Sequence, residues 1–139
     1  MYKNKMLIII FLLGFYSNVY AEVPFFIEIR NVTINGGTII LGYYTSQEAF
    51  SNQRPDWHTT IEPINETIIY EIHLPQGEYM IGIHQDTNGN GVMDYGLFGI
   101  PKEPYAFSNM RGKRPGSFNQ MKFRISNQNE RIIIPLVRF

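Results

Sequence analysis

Thr67-Ile68-Ile69-Tyr70-Glu71-Ile72-His73-Leu74-Pro75-Gln76-Gly77-Glu78-Tyr79-Met80-Ile81-Gly82-Ile83-His84-Gln85 decides the fold class. On both sides of Pro75-Gln76, apolar residues recur at every second position, the period of a half-buried strand. If Pro75-Gln76 is a two-residue turn, Leu74 faces Gly77. Ile72 then opposes Tyr79, Tyr70 opposes Ile81, and Ile68 opposes Ile83. Those six side chains share one face and are expected to be core. Glu71, His73, Met80 and His84 fall on the other face.

The same short alternation, punctuated by Gly, Pro and Asn, continues outward. It predicts strands over Phe25–Val32, Thr38–Tyr44, Thr67–Leu74, Glu78–Gln85, Phe118–Ser126 and Arg131–Val137. Asn35-Gly36-Gly37 reads as a hairpin turn between the first two. Thr45-x-x-Glu48 has capping-box spacing and opens a helical turn, and a short edge strand is expected near Trp57–Ile61. Helical periodicity is otherwise nearly missing. The expectation is an all-β, small antiparallel β-sandwich of about six or seven strands with one long Gly/Asn/Pro-rich loop.

Composition is compatible with one packed domain. In 139 residues, 44% are hydrophobic and 14% aromatic, enough to bury a core. Twelve Lys and Arg balance twelve Asp and Glu, which removes the charge footprint of a general nucleic-acid binder. Cysteine is absent, excluding disulfides, thiolate metal sites and a cysteine nucleophile. At the N-terminus, Lys3 and Lys5 precede the apolar run Met6–Phe15, and Val19 and Ala21 are small residues before Glu22. That order predicts a signal peptide over residues 1–21, cleaved to leave one β-sandwich domain over residues 22–139. The mature chain is then expected in the periplasm or secreted, with no stable membrane span. In that compartment an envelope protein or polysaccharide is the kind of partner on offer.

One loop carries chemistry. Asp86-Thr87-Asn88-Gly89-Asn90-Gly91-Val92-Met93-Asp94 matches the first nine positions of an EF-hand-like calcium loop. Side-chain oxygens at Asp86, Asn88 and Asn90 can converge on one ion. Gly91 permits the sharp turn, the Val92 carbonyl can ligate, and Asp94 can ligate directly or through water. Hard oxygen donors without His or Cys select calcium over zinc or copper. Leu97 stands where an EF-hand places its bidentate Glu, and no amphipathic helices flank the loop, so this is not an EF-hand domain. Glu103 is available to fold back and supply the missing carboxylate. Competing with calcium is a metal-free Asn/Gly turn, since these residues also favour left-handed backbone.

Leu74-Pro75-Gln76-Gly77-Glu78-Tyr79 resembles the L-P-x-G-x-Y turn of transthyretin-like (prealbumin-like) β-sandwich modules of exported proteins. Together with His84-Gln85-Asp86, Gly99-Ile100-Pro101-Lys102-Glu103-Pro104-Tyr105-Ala106-Phe107-Ser108-Asn109 and Pro115-Gly116-Ser117-Phe118, it is similar to a bacterial exported family catalogued as domain of unknown function 2141. The resemblance is strong from Leu74 to Phe118 and looser elsewhere. It implies the sandwich and the exported location, and it assigns no reaction. Gln85 replaces an acid usual beside His84, which implies less charge at the metal loop. Pro104 and Ala106 replace glycines.

The remaining features carry less. No nucleophile-elbow motif is present, and no catalytic residue is assigned. His84 is expected to be a surface strand residue, and Arg111-Gly112-Lys113-Arg114 a solvated tip. Tyr105, Phe107 and Phe118 either pack the long loop onto the sandwich, the preferred reading, or form a platform for a sugar or peptide. The leading function is a calcium-stabilised structural or binding protein of the cell envelope. The alternative is a small exported hydrolase or ligand carrier with its site within residues 95–118.

Overall fold

The computed structural model describes residues 21–128 and 130–139, so the signal peptide expected over residues 1–21 lies almost entirely outside the described residues. Eight strands form: β1 (Glu22–Arg30), β2 (Thr38–Tyr44), β3 (Trp57–Ile61), β4 (Ile68–Pro75), β5 (Gly77–Asp86), β6 (Tyr105–Phe107), β7 (Phe123–Ile125) and β8 (Glu130–Pro135). Among the described residues two short α-helices interrupt them, α1 (Gln47–Ser51) and α2 (Phe118–Met121). One sheet runs β4-β1-β8 and the other β3-β2-β5-β6, with β7 also paired to β5. The two face each other as a β-sandwich, as the alternation predicts. It is not wholly antiparallel, because β8 joins β1 in parallel. No described helix is long and apolar enough to cross a membrane.

The six alternating residues around Pro75-Gln76 do face the core. Ile72, Tyr79, Ile81 and Ile83 are buried, and Ile68 and Tyr70 pack against them. Their pairing is different from the expected hairpin. β4 pairs with β1, setting Ile72 opposite Phe25 and Tyr70 opposite Ile27. β5 pairs with β2, setting Ile81 opposite Tyr43 and Ile83 opposite Leu41. Pro75-Gln76 therefore carries the chain across the sandwich, from one sheet to the other. Alternation places side chains on a face, and two facing sheets satisfy it as well as two neighbours do. The tight hairpin turns also need positive φ at a central residue, which neither Pro75 nor Gln76 adopts. The Tyr79 hydroxyl braces the crossing by donating to the Pro75 carbonyl at 2.9 Å.

Asn35-Gly36-Gly37 is likewise a crossing between sheets and not a hairpin. Asn35 and Gly37 take positive φ, 54° and 95°. Buried Gln85 holds this crossing, its amide donating to the carbonyls of Thr33 at 2.7 Å and Gly37 at 3.2 Å. Its oxygen accepts the Thr33 N–H at 3.1 Å. Gln85 thus faces the crossing between the sheets.

The predicted strand Phe118–Ser126 splits. Ser117 and Gln120 form a reciprocal capping box that starts α2, and only Phe123–Ile125 is extended. α1 begins one residue later than its spacing suggests. Ser46 caps it by accepting the Ala49 N–H at 3.1 Å, while the Thr45 hydroxyl bonds Asp56 at 2.8 Å. Both helices lie on the outer face of the five-stranded sheet, where Phe118 and Met121 bury Met80 beneath them. Ser108 joins these layers. Its hydroxyl accepts the Ile81 N–H at 3.0 Å and donates to the Met121 carbonyl at 2.7 Å. Ser108→Ala leaves two buried backbone groups without these partners, so urea denaturation should show a loss of about 1–3 kcal/mol. A change within about 0.5 kcal/mol, the usual size for a surface substitution, would mean the bridge is dispensable.

Candidate metal loop and the cavity beside it

β5 and β6 are antiparallel neighbours, with His84 opposite Tyr105 and Gly82 opposite Phe107. The chain between them therefore leaves and re-enters the sheet at adjacent points. The Gln85 N–H donates to the Pro104 carbonyl at 2.8 Å and closes the base of this excursion. Directly above the closure sit Asp86 and Glu103, each only 3% exposed.

Asp86 organises the first half of the loop. One carboxylate oxygen accepts the N–H groups of Gly89 at 2.8 Å and Asn90 at 3.2 Å, and the other accepts Gly91 at 2.7 Å. Gly89 and Gly91 supply the positive φ this winding needs, 74° and 79°. The Asn88 side-chain oxygen accepts the Asn90 N–H at 3.1 Å, and that of Asn90 accepts the Val92 N–H at 3.0 Å. Both Asn amide nitrogens donate to the same Asp94 oxygen, at 2.5 and 3.0 Å. Glu103 has folded back beneath the loop. One of its oxygens accepts the Thr87 N–H at 2.8 Å and hydroxyl at 3.1 Å; the other accepts the Asp94 N–H at 3.2 Å.

Asp86, Asn88, Asn90 and Asp94 are thus joined in one hydrogen-bonded unit, with Glu103 attached through the backbone. Val92 enters only through its N–H, and its side chain is exposed. The carboxylates do not converge. Among the described residues no three His, Cys, Asp or Glu side chains are close enough to hold a metal. The donor set suits a hard cation only with the Asn amide oxygens counted. Each of those oxygens spends one lone pair on a loop amide and keeps another. Both Asn nitrogens hold one Asp94 oxygen and leave the other oxygen of that carboxylate as the one that can ligate directly. Burial pushes the Asp86 carboxyl up, but the Gly91, Gly89 and Asn90 amides, with His84 nearby, outweigh it and hold the group below its ordinary value. Thr87 and Gln85 complete the frame and were missed as site residues. The signal for Gln85 was its inward position in a strand of alternating Ile.

Beyond Asp94, the chain passes over the outer face of the five-stranded sheet. Between the two lies a cavity of about 760 Å³, whose lining includes Ile40, Gly42, His84, Tyr95, Tyr105 and Phe107. His84 is not the surface residue expected: its Nε2 is buried and has no hydrogen-bond partner. Burial pushes its pKa down, with Glu103 and Asp86 opposing. Phe118 belongs to the packed cluster around Met80, whereas Tyr105 and Phe107 line the cavity. The Tyr105 hydroxyl donates to the Lys113 carbonyl and pins the second loop segment against the sheet.

A family model described as an uncharacterized protein conserved in bacteria (DUF2141) matches residues 27–133. No curated protein and no solved structure matches the chain.

Proposed function

The chain belongs to this family of uncharacterized bacterial proteins, DUF2141, and from that premise we propose that it is an exported β-sandwich whose long loop is stabilised by calcium. Its role is that of a structural or binding protein of the cell envelope. What supports calcium is the winding of the loop: the oxygens of Asp86, Asn88 and Asn90 each accept an amide two to five residues ahead. The Asn88 and Asn90 oxygens each keep a second lone pair for a cation, with Glu103 beneath as an additional carboxylate. What supports export is Lys3 and Lys5 before the apolar run Met6–Phe15, with Val19 and Ala21 ahead of Glu22.

Two or three carboxylates and no converged cluster make a weak site, in the range of extracellular modules, with a Kd of about 10⁻⁴–10⁻³ M. At ~10 mM calcium, roughly 100-fold above the tighter end of that range, the gain in stability is about 2.7 kcal/mol. Thermal melting with calcium, then with EDTA, reads this directly: the Tm should rise and return. Ile81→Val, deep in the core, should lower the Tm yet leave the increment intact. If melting and titration calorimetry both stay flat at that concentration, the loop is a turn and nothing more. Export is tested separately by the intact mass of protein from the envelope fraction, where a species retaining residues 1–15 rejects cleavage after Ala21.

A further inference from the structure

The outer face of the five-stranded sheet carries two rows of residues across β2, β5 and β6. One is Ile40, His84 and Tyr105; the next is Gly42, Gly82 and Phe107. Two adjacent glycines let neighbouring side chains settle close onto the middle of this face, Pro55 and His58 on Gly42, and Tyr44 and Phe107 on Gly82. The Phe107 ring leans over Gly82, where an added Cβ would come within 2.9 Å of it. Phe107 is held edge-on by Phe50 at 5.4 Å, and Phe50 by Tyr44 at 5.7 Å, so the wall is a fixed aromatic series. The chain from Gly91 to Pro101, and Lys113 to Pro115, closes over this hollow. A cavity of about 760 Å³ with aromatic walls and a few polar side chains among them, His58, His84, Lys113 and Arg114, has the size of a small-molecule site.

Two observations define the ligand. Lys113 and Arg114 are the charged side chains of the lining, no carboxylate side chain lines it, and neither cation is in an ion pair among the described residues. At the floor, the buried Nε2 of His84 has no hydrogen-bond partner in the protein, so it is a polar atom that a ligand in the cavity can engage. A ligand hydroxyl, which both donates and accepts, satisfies either imidazole tautomer.

We propose that this cavity binds a small hydroxylated aromatic carboxylate, its ring against the aromatic wall of Phe50 and Phe107, its hydroxyl at His84 and its carboxylate at Lys113 and Arg114. The proposal rests on the cavity and not on a metal in the loop, so it stands or falls apart from calcium.

Titration calorimetry on the mature protein, in EDTA and again in calcium, tests it with three probes. These are 4-hydroxycinnamate, cinnamate without the hydroxyl, and 4-hydroxycinnamyl alcohol without the charge. The first should bind one to one, with a Kd of about 10⁻⁵–10⁻³ M, and each of the others about 10-fold more weakly. Joint Lys113→Ala and Arg114→Ala, in an exposed turn, should erase the difference between acid and alcohol. His84→Phe should erase the difference made by the hydroxyl, and Ile40→Trp should fill the hollow and remove binding of all three. Circular dichroism confirms that each variant is folded; if His84→Phe is not, the cation pair and Ile40→Trp decide. No saturable heat with any probe at ~5 mM, above the expected Kd, overturns the proposal. So does binding that folded Ile40→Trp retains.

Discussion

Gly37→Ala is expected to remove a large part of the stability of the fold. Gly37 sits where the chain crosses from β1 to β2, at φ 95°. A Cβ there would lie 1.9 Å from the Asp86 carbonyl oxygen and 2.7 Å from the Asp86 carbonyl carbon and the Thr87 Cα. All three are backbone atoms at the root of the Asp86–Asp94 loop, so no rotamer change relieves the overlap. Left-handed strain costs about 1–2 kcal/mol and forced backbone shifts about 1–3 more. The expected loss is about 2–5 kcal/mol against a typical total of 5–15. Gly89→Ala is the control, because Gly89 also has positive φ but nothing lies within 4 Å of its Cβ position. Urea denaturation of the two variants separates close approach from backbone strain. Equal losses would show that the approach of Gly37 to Asp86 does not matter.

Asp86→Ala is the second large effect, about 2–4 kcal/mol, because a buried charged acceptor of three amides disappears. The calcium increment should vanish with it. The same carboxylate sets an acid dependence of definite sign. Its folded pKa lies below its ordinary value of 3.8, so the unfolded chain binds the proton first. The stabilisation is complete above 3.8 and is lost as pH falls through the folded value. Melting from pH 5 down to pH 3 should therefore fall more steeply in the native protein than in Asp86→Asn. Parallel slopes would mean the amide cradle does not favour the ionised form.

Most strands were legible because an alternating Ile/Tyr/Val run has one apolar face wherever it is placed. Their partners were not, since Ile72 and Tyr79 look alike as hairpin neighbours and as residues of facing sheets. Three-residue β6 was hidden in a Pro- and Gly-rich stretch where pairing depends on the neighbouring β5. α2 was hidden because Phe118, Met121, Phe123 and Ile125 mix spacings of three and two, and the Ser117–Gln120 cap breaks the tie. The loop from Asp86 to Asp94 stood out because its spacing is local. The cavity did not, because Gly42, Gly82 and His84 become neighbours only once β2 and β5 pair.

The crossings at Asn35–Gly37 and Pro75–Gln76 also bear on how fast the chain finds this arrangement. They send successive strands to opposite sheets, β1 to β2 and β4 to β5. Among the described residues no tight turn joins neighbours within a sheet: β2 reaches β3 past α1, and β5 reaches β6 through the whole segment 87–104. Native pairing cannot begin with a local hairpin. It must close long segments before the core rewards it, which places folding at milliseconds to seconds, the slow end for domains of this size. During that interval the Ile-rich strands stand unpaired, and β1, which needs both β4 and β8, is completed only when the last strand of the chain arrives.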